Sequence, residues 1–89
     1  ADVPQHVRAR GNQQQEIFFN DEDRTHYLRL LAGHCSAHCV GILGYCLMTN
    51  HVHLVLRPSN PDGLSRAMQR LNSEYAQSLQ FRLSRTGHL

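Results

Sequence analysis

Two periodicities divide the chain. From His6 to Arg10 polar and apolar residues alternate with period two, which predicts a strand with His6, Arg8 and Arg10 on one face. Gly11-Asn12 ends it. A Gln-rich stretch then leads to the apolar run Ile17-Phe18-Phe19, and Asn20 reads as a helix N-cap. Asp21, Glu22 and Asp23 fill the first turn, where carboxylates complement unpaired amides, and Tyr27, Leu28, Leu30 and Leu31 supply a buried stripe. This helix is expected to run to about residue 38. Val40 to Met48 is apolar on both faces and reads as a central strand. After a tight turn at Thr49-Asn50, where Asn50 reads as a turn residue and not a ligand, His51 to Arg57 forms a further strand. Pro58 to Gly63 is a cluster of loop formers. From Leu64 the spacing turns helical, with Leu64, Ala67, Met68, Leu71, Tyr75, Ser78 and Leu79 on one side and Arg66, Gln69, Arg70 and Ser73 on the other.

The order strand, helix, strand, strand, helix predicts an α+β fold, a ferredoxin-like antiparallel sheet with both helices on one face. No closing strand follows the second helix, so the unit is expected to be C-terminally truncated. At 89 residues with 40% apolar content the chain is a single domain, 1–89, and a multi-domain machine is excluded. Its longest apolar stretch, 40–48, is far short of the roughly 20 residues that cross a bilayer. A soluble, cytoplasmic protein with no membrane partner is the expectation.

Charge sharpens the picture. All nine basic residues are arginine, the side chain best shaped for phosphates and bases. Residues 1–50 carry a balance of −1 and the remainder +3, which makes the C-terminal part the anion-binding half or leaves it with merely solvated helix faces. On the second helix, Arg66 and Arg70, with Arg82 further along, are candidates to track a nucleic-acid backbone. Cys35, Cys39 and Cys46 show no secreted-scaffold spacing and read as free thiols.

His51 and His53 stand two apart in a strand, so their imidazoles share a face while Val52, Leu54 and Leu56 point into the core. The two rings can grip one divalent ion or remain plain surface imidazoles. With Arg57, and with His6, Arg8 and Arg10 on the same sheet, they would form a surface suited to metal-assisted phosphodiester chemistry. A rival cluster is His34, Cys35, His38 and Cys39, whose i and i+4 spacing suggests zinc. The two pairs are rotated by about 100° from each other on a helix, which one tetrahedral ion accommodates badly. A zinc-stabilised, non-enzymatic interaction module for nucleic acid or protein is therefore the alternative function.

The phrase Tyr45-Cys-Leu-Met-Thr-Asn-His-Val-His-Leu-Val-Leu56 resembles the signature of the HUH-type single-tyrosine transposases, most closely the REP-associated tyrosine transposases, relatives of the smaller insertion-sequence enzymes. His6 to Asn12, Ile17 to Asp23, Gly63 to Leu71 and Arg85 to Leu89 are similar too, so the resemblance spans nearly the whole chain. It implies a DNA transposase and endonuclease that binds single-stranded, hairpin-flanked DNA and nicks and rejoins it through a 5′-phosphotyrosine link. His51 and His53 match the metal-binding histidines, with Mg²⁺ or Mn²⁺ as the ion. His6, Arg8, Arg10, Asn12, Arg57, Arg66 and Arg70 are then the candidate DNA contacts. In that family the nucleophilic tyrosine lies on a later helix, which is expected to be absent here, leaving the chain inactive alone. Tyr75 is the residual candidate, although its place on an apolar stripe suits a core role. The resemblance allows a homodimer, by exchange of helices or through the incomplete sheet edge.

Overall fold

The computed structural model describes residues 2–11 and 15–85; Asn12, one of the expected DNA contacts, and the end of the matching Arg85 to Leu89 segment lie outside them. Strand β1 (Gln5–Arg10) leads to helix α1 (Asp21–Ala37), a hairpin of β2 (Val40–Leu47) and β3 (His51–Pro58), and helix α2 (Pro61–Arg85). The three strands form one antiparallel sheet in the order β1-β3-β2. β1 and β2 thus run parallel on either side of β3, the split crossover of a ferredoxin-like arrangement, with both helices packed on one face.

The alternation in β3 decides which face is covered. Val52, Leu54 and Leu56 are fully buried against Tyr27, Leu31 and Cys35 of α1 and Ala67, Leu71 and Tyr75 of α2. Each aliphatic side chain so buried contributes about 1.5–3 kcal/mol. Phe18, on the segment entering α1, meets Tyr27 edge-on and tilts against Tyr75, closing one end of this core. The helix ends are set locally. Asn20 Oδ1 accepts from the Asp23 amide, and Asp23 in turn accepts from the Phe19 amide.

Three sequence expectations change. β2 is an edge strand, not the central one. Its apolar character is deceptive because Gly41, Gly44 and Cys46 leave its open face nearly bare, and Ile42, Leu43 and Tyr45 are 38%, 50% and 55% exposed. α2 begins at Pro61 and not Leu64: Asn60 caps it by accepting from the Gly63 amide, and proline is favoured at the first helical position. Gly63 is required there, since a Cβ would stand 2.5 Å from the His38 carbonyl oxygen. Finally, α1 stops at Ala37, and Cys39 lies beyond its cap with φ 58°, so Cys35 and Cys39 do not stack on one helix.

Candidate active site

The face of the sheet opposite the helices gathers the imidazoles and guanidiniums that alternation assigned to it. In the β1–β3 ladder Arg10 stands opposite His51, Arg8 opposite His53 and His6 opposite Val55. Arg57 lies on the same face, four positions beyond His53. Across β3, Cys46 pairs with His53 and Gly44 with Val55, so small side chains flank the histidines on that side and leave them open.

Contacts tie the rings together. His51 Nε2 and His53 Nε2 converge to 3.1 Å with their planes nearly perpendicular. His51 Nδ1 meets Asn50 Oδ1 at 2.7 Å, and His53 Nδ1 meets His6 Nε2 at 3.0 Å. Desolvation, then the neighbouring charges of His51, His6 and Arg8, lowers the His53 pKa below the ordinary imidazole value and favours the neutral ring. Arg8, Arg10, Asn50 and His51 line a shallow cleft of about 240 Å³. The turn beneath it is pinned by the chain between β1 and α1: the Gly11 amide donates to the Asn50 carbonyl, and the Ile17 and Phe18 amides donate to the Thr49 carbonyl. Gly11 makes that approach feasible, because a Cβ there would meet the Gln15 carbonyl oxygen at 2.7 Å.

A family profile described as "Transposase IS200 like" matches residues 3–88. The chain belongs to the IS200-like transposase family. Membership supports a transposase role, DNA as partner and, in general terms, dependence on a divalent metal. No curated protein and no solved structure matches the transposase chain.

The fold does not bring every candidate to this face. Arg66 and Arg70 are exposed on α2, in the helical layer, with the core and the sheet between them and the imidazoles. Arg82, read as a possible backbone contact, instead forms a two-pronged ion pair with Asp23 at the start of α1. Burial pushes the Asp23 carboxyl up, but the Arg82 guanidinium and the amides of Phe19 and Asn20 outweigh it and hold the carboxyl below its ordinary value. Tyr75 donates its hydroxyl hydrogen to the Ile17 carbonyl within the core, and burial raises its pKa far above the ordinary phenol value. Tyr27 is buried beside it, and Tyr45 pairs with Leu54 and so belongs to the helix-side face. None of the three tyrosines stands on the imidazole face.

The zinc alternative loses its cluster. Cys35 is in the core, Cys39 is exposed past the helix end, and His34 pairs with Glu74 at 3.0 Å. Among the described residues, no three His, Cys, Asp or Glu side chains are grouped as a metal site. Sequence reasoning missed Asn50 as the partner of His51, although its position just before the first histidine was the signal. It also missed the Asp23 and Arg82 pair, 59 residues apart, for which no local signal exists.

Proposed function

We propose that this domain is the metal- and DNA-binding platform of a transposase, of the REP-associated branch, that nicks and rejoins single-stranded DNA beside a hairpin in the cytoplasm. The observation that carries the reading is the convergence of His51 Nε2 and His53 Nε2 at 3.1 Å beside Arg8 and Arg10. Ligands about 2.1–2.2 Å from one ion, at adjacent corners of an octahedron, lie about 3 Å apart, so this spacing fits a shared divalent ion. The ion of this reading is Mg²⁺ or Mn²⁺, either of which takes octahedral coordination that water and phosphate oxygens can complete. A divalent ion held there supplies Lewis-acid polarisation of a phosphate oxygen.

The rest of the chemistry belongs to side chains. Arg8 and Arg10 hold the phosphate next to the two imidazoles with guanidinium forks, and Arg57 receives the strand further along the same face. Attack by a tyrosine oxygen on phosphorus forms the 5′-phosphotyrosine bond, and the 3′-hydroxyl departs with a proton. The placement of Tyr27, Tyr45 and Tyr75 on the helix side supports the reading that none of them supplies the attacking hydroxyl at this face.

The test is a Mn²⁺ titration read by imidazole NMR. Paramagnetic broadening confined to the open-face histidines, and abolished by His53→Ala, is the expected result. Broadening centred on His34 and His38, or none below millimolar Mn²⁺, overturns the reading.

A further inference from the structure

His6 is separated from His53 by 47 residues, yet the two rings meet in a specific way. Their centroids are 5.1 Å apart and their planes 23° from parallel, with His6 Nε2 to His53 Nδ1 at 3.0 Å. A ring nitrogen lies about 1.1 Å from its centroid, so rings joined end to end by such a contact have centroids about 5 Å apart. The rings therefore meet edge to edge, as an N–H···N hydrogen bond requires, and not face to face.

The hydrogens along this row can be assigned. The Asn50 amide oxygen only accepts, so His51 carries its hydrogen on Nδ1 and keeps a lone pair on Nε2. In the ion-free protein His53 then donates from Nε2 to His51 and accepts on Nδ1 from His6. The row runs in one direction, from His6 through His53 and His51 to Asn50. A cation shared by both Nε2 atoms needs a lone pair on each, which obliges His53 to carry its hydrogen on Nδ1 instead. The group facing Nδ1 must then accept where it had donated. Imidazole does either at the same nitrogen according to tautomer, whereas arginine and lysine only donate.

We propose that His6 is a positioning residue for His53, donating from Nε2 to His53 Nδ1 in the ion-free protein and accepting from it when the histidine pair holds a divalent cation. The hydrogen on His6 Nε2 passes to His53 Nδ1, that on His53 Nε2 leaves to water, and the exposed His6 takes one from water on Nδ1. The count of bound protons is unchanged. This rests on the reading of His51 and His53 as the ion-binding pair, and it gives His6 a role on that pair in place of the phosphate contact expected from its sequence.

The experiment compares the full chain with His6→Phe and His6→Gln. Histidine tautomers are read by long-range ¹H–¹⁵N NMR without metal, and Mn²⁺ affinity by EPR of the free ion. Phenylalanine suits an exposed strand position and removes both hydrogen-bonding roles, whereas the glutamine amide can both donate and accept. His53 of the unmodified chain is expected as the Nε2–H tautomer. His6→Phe is expected to keep that tautomer, which donation to His51 also sets, but to weaken Mn²⁺ binding about 10- to 100-fold, and His6→Gln to restore most of the affinity. A His6→Phe variant that binds Mn²⁺ as tightly as the unmodified chain overturns the proposal and leaves the ion-binding reading standing. Failure of the unmodified chain to take up Mn²⁺ at His51 and His53 overturns that reading itself, and the accepting role of His6 with it.

Discussion

On its helix side β3 presents Val52, Leu54 and Leu56 at 0% exposure, while on its open side the same strand presents His51 and His53 beside Arg8 and Arg10. The two faces are made from one stretch of backbone and separated only by the alternation of a strand. Stability is concentrated on one and the proposed chemistry on the other, so on that proposal a substitution on either should move one property and leave the other nearly intact. Tyrosine placement follows the same division: Tyr27 and Tyr75 support the core, and neither reaches the imidazoles.

The largest contrast comes from adjacent positions. Leu54→Ala removes a fully buried side chain and is expected to cost about 2–5 kcal/mol of unfolding free energy in denaturant titrations. His53→Ala, one residue away on the open face, is expected to change stability by less than about 1 kcal/mol while abolishing Mn²⁺ uptake. Equal losses of stability from the two would break the division.

Next in size is the clasp between the helices, which belongs to the stability side. Asp23→Asn removes a buried carboxylate that holds Arg82 and the Phe19 amide, and since Arg82 is itself partly solvated, a loss of about 1–3 kcal/mol is expected. The sign of the pH effect follows from the lowered Asp23 pKa. The folded carboxyl ionises below the unfolded value of about 3.9, so its contribution is complete above that pH and is lost as pH falls through the folded value. Unfolding free energy should therefore decline below about pH 4, and less steeply in Asp23→Asn. An unaltered acid limb in the variant would remove Asp23 from the account.

The smallest effect on folding, and one confined to the open face, is expected from Arg8→Ala. Binding to single-stranded DNA should weaken, and the slope of log affinity against log salt should become shallower by about 0.7, the loss of one phosphate contact. Melting should be unchanged within the about 0.5 kcal/mol typical of surface substitutions. An equal drop in slope from Arg66→Ala or Arg70→Ala, on the helical layer, would extend the DNA path beyond the imidazole face.

Much of this arrangement is legible from local chemistry. Asn20 followed by three carboxylates announces the start of α1, and the His-Val-His-Leu-Val-Leu alternation of β3 states which side chains are covered and which are presented. The grouping of His6, Arg8 and Arg10 with His51 and His53 follows from the same period of two, once β1 and β3 share a sheet. Where local reading failed, composition and position conflicted. β2 counts as apolar throughout, yet two of its residues are glycines and the others are covered on one side only, which is compatible with an edge. The loop formers before Leu64 include a cap and a first-turn proline, residues whose types serve loops and helix starts alike.

By itself, then, the amino-acid order determined the succession of elements, the faces of β1 and β3 and the pair of histidines that share one, because these depend on neighbours two to four residues away. Only the tertiary structure decided that β3 is central, that Arg82 is held by Asp23, that Asn50 and His6 grip the outer nitrogens of the two imidazoles, and that every tyrosine faces the helices. Those outcomes depend on strand order and register, which bring together side chains tens of residues apart through packing that no local spacing encodes.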